Sequence, residues 1–353
     1  MKKSILLACA LMLAGHALKA QQSDAVTATL QDGAKTTVFS GFNSFKQALD
    51  SASQEGAVII LSSGSFANPG NIQKSIKLYG AGFQPDTLTG VAETRVMGDL
   101  RIQSTDEFAP KDVYIEGING TGYFYLSGTQ AITGTTIAKC KFDNQLRFQV
   151  NTDQTLIRQC YLPKDISGES KVATNFVISN CHLQNIGNNF DANSSLIVAN
   201  CILTHTDCVH NPALYKNNLV ANNYYGGGYR SGSLGGGSTC YNNIGWQGCI
   251  ECNNNNVCSN NYYQTLFDSN WSNIFADGQN NLNYLNDAGQ PRDWTLAEPE
   301  KYVGTDGTPC GLTGGDYPWN PIPSTPRIIS SSVDNKTVDG KLKVTIKAEA
   351  RAD

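Results

Sequence analysis

Four ionisable side chains stand out by their spacing in this 353-residue chain: Asp191, His210, Arg230 and Glu251. His210 and Arg230 precede Asn223 and Asn243 by thirteen residues each, while Asp191 precedes Cys201, and Glu251 precedes Asn261, by ten. In a repeating array of strands, equal offsets place side chains on neighbouring rungs of one face. A carboxylate, an imidazole and a guanidinium on such a ladder can orient a sugar chain or move protons. Arg presents a planar fork of donors, and His exchanges a proton near neutrality. Tyr229 adjoins Arg230, and glycines at 226–228 and 235–237 leave the backbone open to a close ligand. Tyr224, Tyr225, Trp246, Tyr262, Tyr263 and Trp271 add ring surface suited to sugars. The competing reading is plain: charged residues at outward strand positions are ordinarily a solvated face, and Tyr225 and Tyr263 fall in an inward column. No catalytic residue is assigned from sequence.

Other reactive types are better read as structure. His205, Asp207, Cys208 and His210 lie close together, but their spacing matches no helical metal motif and the segment reads as turn and strand. Cys249-Ile250-Glu251-Cys252 is a CxxC without the surroundings of a redox fold. No metal site and no cofactor is expected.

The elements that must position these residues are coils of a repeat. Aligned on Cys140, Cys160, Cys181, Cys201, Asn223, Asn243 and Asn261, the chain steps by 20, 21, 20, 22, 20 and 18 residues. Three residues before each lie Ile137, Ile157, Ile178, Val198, Val220, Cys240 and Cys258; two after lie Phe142, Leu162, Leu183, Leu203, Tyr225, Gly245 and Tyr263. Immediately before stand Lys139, Gln159, Asn180, Asn200, Asn222, Asn242 and Asn260. Ile115 and Ile118 extend the register one coil upstream. A step near twenty is too short for a helix pair and lacks the leucine framework of leucine-rich repeats. It suits short strands joined by bends, with coils stacked at the strand spacing and apolar side chains inside. Asn before a bend tolerates the left-handed backbone, and its amide can bond the equivalent amide one coil away. The aligned cysteines read as stacked, buried small hydrophobes, although neighbouring coils lie within disulfide reach.

Ile-Ser-Asn-Cys-His-Leu at 178–183, Val-Ala-Asn-Cys-Ile-Leu at 198–203 and Val-Ala-Asn-Asn-Tyr-Tyr at 220–225 carry a resemblance to the pectate-lyase-like superfamily. That resemblance covers about residues 35–285. It implies an all-β, right-handed, single-stranded parallel β-helix with a short N-terminal capping helix. Phe45, Ala48, Leu49 and Ala52 supply that helix with an apolar stripe, and Asn43 or Ser44 can cap it. The superfamily includes lyases, hydrolases, epimerases and adhesins, so fold alone assigns no activity. Asn151-Thr152-Asp153 matches one element of the polygalacturonase-like pattern, without its Asp-Asp pair or Gly-His-Gly turn. Asp143, Asp153 and Asp165 near Arg147, Arg158 and Lys164 resemble loosely the carboxylate and base set of calcium-dependent lyases. Ca²⁺ is therefore compatible with the sequence but not expected.

Lys2 and Lys3, an apolar run from Ile5 to Ala14 and Ala17-Leu18-Lys19-Ala20 read as a secretory signal over 1–20. A competing lipoprotein reading, with Cys9 acylated, leaves too few apolar residues ahead of it. Removing three signal lysines leaves 23 basic against 30 acidic residues, which argues against a nucleic-acid partner. No segment is apolar enough for a transmembrane helix. The solenoid is expected over 21–300, a Gly/Pro-rich wrap or linker over 301–326 and a β-strand tail over 327–353. The tail's alternation of Leu342, Val344, Ile346, Ala348 and Ala350 with polar residues marks a half-buried strand, and the ending resembles that of secreted β-helix proteins of Bacteroidetes type. The expected function is binding of extracellular polysaccharide by an exported or cell-surface protein. A lyase or glycosidase of the same fold, or an adhesive surface protein with a protein partner, are the alternatives.

Overall fold

The computed structural model describes residues 26–349, apart from 87–88, 188, 206–211, 221–223, 226–227, 230–233, 235, 247–249, 251–254, 265–272, 280, 287 and 339–340. The signal segment at 1–20 lies outside the described residues. The chain forms an all-β parallel solenoid. Three sheets of twelve, ten and five strands run along it, paired in parallel from one coil to the next except where Thr27–Asp32 pairs antiparallel with Lys35–Ser40 and Glu55–Leu61 at the N-terminal end of the first.

The first sheet holds the predicted column. Ile59, Leu78, Ile115, Ile137, Ile157, Ile178 and Val198 stand opposite one another in consecutive strands. All seven are completely buried, as period-two patterning on strands with one inward face requires. The second sheet stacks Val96, Gly120 and Phe142, then Leu162, Leu183 and Leu203. Gly120 has a packing reason: a Cβ there would stand 2.5 Å from the Phe142 ring. The third sheet consists of Asn71–Ile72, Leu100–Gln103, Phe124–Ser127, Leu146–Phe148 and Ile166–Ser167.

One coil corrects the sequence register. Val198 pairs with Tyr215, and Tyr215 with Cys240, so successive steps are 17 and 25 residues rather than 22 and 20. Val220 pairs with Leu203 and Gly245 in the second sheet instead. It is buried, but in the neighbouring stack. The backbone of Tyr224–Tyr225 pairs antiparallel with Gly228–Tyr229, and Val220 holds the second-sheet position between Leu203 and Gly245. The fifth and sixth coils share the extra length unequally, which a nearly constant step conceals.

The bend position behaves as its chemistry demands. Lys139, Gln159, Asn180, Asn200, Asn217, Asn242 and Asn260 have φ of 50°, 53°, 50°, 54°, 60°, 51° and 52°. The inward ladder beside it changes from thiols to amides. The Cys140, Cys160 and Cys181 N–H groups each point at the sulfur one coil on, 3.4 Å away. The Cys201 N–H donates to Asn218 Oδ1 at 2.8 Å, the Asn218 N–H to Asn243 Oδ1 at 3.0 Å, and the Asn243 N–H to Asn261 Oδ1 at 2.9 Å. These four cysteines are free thiols, while Cys258 is disulfide-bonded.

The expected cap is present. Helix α1 (Ser44–Ser51) buries Phe45, Ala48 and Leu49, and its core continues into Leu30 and Ile59. Asn43 is the N-cap by position, without a side-chain cap bond.

Residues 273–326 return along the outside. Phe275, Leu282, Trp294, Leu296 and Leu312 cover Ile202, Leu219 and Ile244 on the outer face of the second sheet, making a second apolar core. The chain then runs back up the bend corner as a strap. Arg327–Val338 and Lys341–Glu349 pair with each other as an antiparallel hairpin. No described helix is long and apolar enough to cross a membrane.

Candidate functional site

The position seven residues past the bend column lands on the third sheet and faces outward. Counting from Ile118, Cys140 and Cys160 gives Tyr125, Arg147 and Ser167. Tyr125 pairs with Arg147 on one side and Arg101 on the other, and Arg147 pairs with Ser167. Inward neighbours Leu126, Ile102 and Phe148 anchor these strands in the core, so the outward side chains stand on a rigid support.

Two guanidinium–ring contacts organise this face. Arg101 lies over the Tyr125 ring at 4.1 Å, and Arg147 lies over the Tyr123 ring at 4.6 Å. The two tyrosine rings stack at 5.6 Å with 29° between their planes. The result is a platform of two stacked rings with a guanidinium over each. Stacking on a ring holds a guanidinium flat while leaving its edge donors directed outward.

The polar partners differ between the two arginines. Arg147 gives Nε–H and Nη2–H to Gln145 Oε1 at 3.0 and 2.8 Å, and stands 3.7 Å from Glu169. Arg101 makes no hydrogen bond or ion pair with any described residue, and neither do the hydroxyls of Tyr123 and Tyr125. Burial pushes the Tyr125 phenol up, assisted by the charge of Asp99, so it remains a neutral donor at physiological pH. Asp99 is engaged by the Tyr123 N–H at 2.9 Å. Asp165, before the last strand of this sheet, has its carboxyl raised by burial despite Lys164 and His205 nearby.

Of the residues singled out by sequence, Asp191 is described with its side chain. Asp191 sits in a turn, where Oδ1 accepts the N–H and the side-chain amide of Asn193 at 2.8 Å each. His210, Arg230 and Glu251 lie outside the described residues, as do Asp207, Cys208, Cys249 and Cys252. Tyr229 is placed by its backbone alone, opposite Tyr224. The ladder residue of the coil that follows Cys201 is Asn218, five residues before Asn223. Asp153 accepts from Thr174 Oγ1 at 2.6 Å and Asn175 Nδ2 at 2.8 Å, which hold its carboxyl below the usual range. Among the described residues no group of three metal-ligating side chains gathers.

Scans of family models, curated proteins and solved structures find no match to this chain. The parallel solenoid, its left-handed bends and its N-terminal helix are consistent with the pectate-lyase-like superfamily in general.

Proposed function

We propose that this is an exported polysaccharide-binding protein, acting in the periplasm, at the cell surface or beyond it, with a sugar chain lying along the third sheet. The observation that carries the reading is the Arg101 guanidinium: over the Tyr125 ring at 4.1 Å, with its donors unspent on any described residue. A planar fork so held is matched to a carboxylate or a pair of hydroxyls. One sugar of an extended chain advances by close to one strand spacing, so consecutive rungs would meet consecutive sugars. Export rests on the basic, apolar and small-residue order of the first twenty residues.

The test is an array of immobilised neutral and acidic extracellular polysaccharides, probed with the mature protein and followed by assays for reducing ends and unsaturated products. Retention on at least one polysaccharide, without product, is the expected result. Product formation would replace binding by catalysis. Failure to retain any glycan would leave adhesion to a protein partner, and a loss confined to Arg230→Ala would move the site off the third sheet.

A further inference from the structure

Around the corner from that face, the second sheet carries a cleft of about 830 Å³, a size typical of small-ligand sites. Its floor is the outer side of two adjacent rungs, Lys141 and Tyr161, which pair directly. One wall is Phe83-Gln84-Pro85, and the other is Tyr284-Leu285 with Gln290 and Pro291, supplied by the returning segment. The second wall is anchored: Tyr284 stacks on Tyr161 at 4.0 Å and 12°, and its hydroxyl donates to Gln84 Oε1 at 2.6 Å. The adjoining Leu282 carbonyl accepts from His182 Nε2 at 2.7 Å.

The polar groups in this cleft are present in excess of their protein partners. Glu93 Oε2 accepts from Asn119 Nδ2 at 3.0 Å, and Oε1 has no partner among the described residues. Asp143 Oδ1 stands 2.6 Å from Lys141 Nζ, leaving Oδ2 and two ammonium hydrogens. The side-chain NH₂ groups of Gln84 and Gln290 are likewise unspent within the described structure. Unused acceptors and donors thus share the cleft with ring and proline surface, with Leu285 half exposed. Two carboxylates against one ammonium disfavour an anion, and so many unpaired polar groups disfavour a purely apolar guest. Hydroxyls, which both donate and accept, arrayed on a ring with apolar C–H faces, meet both conditions.

From this complementarity we infer that the cleft between Tyr161 and Leu285 is a second carbohydrate site, one that takes a neutral oligosaccharide. It stands independently of the third-sheet reading, because the two sites share no side chain. The test is calorimetric titration of the mature protein with cellotetraose, mannotetraose, maltotetraose and xylotetraose, and with a uronic-acid tetrasaccharide for comparison. At least one neutral tetrasaccharide should bind more tightly than the acidic one. Asp143→Ala and Glu93→Gln should each weaken that binding about tenfold or more. Arg101→Ala should leave it unchanged. Both cleft carboxylates are on the surface, and a thermal melt of each variant confirms folding. The inference is overturned if no neutral tetrasaccharide binds at millimolar concentration, if the acidic one binds better, or if both folded cleft variants bind like the parent.

Discussion

The side-chain amide of Asn180 donates to the carbonyl oxygen of Gly314 at 2.6 Å, across 134 residues of chain. It also reaches Leu312 O at 3.0 Å, and this pairing is one of a series. Asn242 Nδ2 reaches Val303 O at 2.8 Å, Asn217 Oδ1 accepts the Thr305 N–H at 2.9 Å, and Gln159 Nε2 reaches Pro318 O at 2.6 Å. At the far end Ser324 donates both N–H and Oγ–H to buried Glu116, at 2.6 and 2.8 Å. The residues that make the left-handed bends therefore also fasten the returning strap, one coil at a time.

Removing one fastening separates the two roles. Asn180→Gly keeps the bend easy but leaves two strap carbonyls without their donor, and should cost about 1–3 kcal/mol. Asn180→Ala adds the left-handed backbone penalty of a further 1 kcal/mol or so. Urea denaturation of both variants measures this; a glycine variant as stable as the parent would mean the strap contributes nothing there.

The interior stack predicts a sharper contrast. Ile178 is wholly buried, while its neighbour Val177 points outward and is half-buried. Ile178→Asp places an unpaired charge in the core and should lower stability by more than about 4 kcal/mol, where Val177→Asp should cost less than about 1 kcal/mol. Circular dichroism melts check the pair, and equal effects would contradict the inward register.

That register was largely legible in the sequence, because Ile137, Ile157, Ile178 and Val198 recur at nearly constant steps under a period-two pattern. It slipped at one coil because Val-Ala-Asn-Asn at 220–223 imitates Val-Ala-Asn-Cys at 198–201, whereas the structure uses Tyr215 and Asn218. The Asn amides were expected to bond their equivalents. Asn217 does reach Asn200 Oδ1 at 3.4 Å, but Asn180 and Asn242 turn to the strap. The strap's composition was visible as Gly and Pro, but its docking depends on contacts a hundred residues away. The Arg101–Tyr125–Arg147 face lies seven residues past the bend column in upstream coils, where no thirteen- or ten-residue spacing of ionisable residues like that of His210 and Arg230 marks it as a set.

Acid should loosen the cover over the second sheet. His182 is buried among Tyr161, Tyr284 and Trp294, and burial pushes its imidazole down to about 4, assisted by the nearby Arg292 charge. Arg292 is itself paired with Asp277 at 2.9 Å. Between pH 6.5 and 4 the unfolded chain binds the proton and the folded chain does not. Stability is therefore full above the unfolded value and falls as pH drops through that window, by up to about 3 kcal/mol. His182→Gln retains a donor for Leu282 O without titrating, so its melting temperature should decline less between pH 7 and 4; an identical decline would contradict this.

The thiol ladder should be chemically silent. Burial raises Cys140, Cys160 and Cys181 well above the usual thiol range, and Cys310 to about 12. Iodoacetamide at neutral pH should leave all four unlabelled in the native protein and modify them in urea, as mass spectrometry would show. Native labelling at any of them would mean that the coil opens there.

The central claim is that a sugar chain engages the third sheet through Arg101. Its most direct measurement is calorimetric titration of a polysaccharide retained on the array into the parent protein, Arg101→Ala and Arg101→Lys. The account predicts at least about a tenfold loss of affinity for alanine and only partial recovery for lysine, which keeps the charge without the planar fork, while the melting temperature moves little. Unchanged affinity in Arg101→Ala, or full recovery in Arg101→Lys, would contradict it.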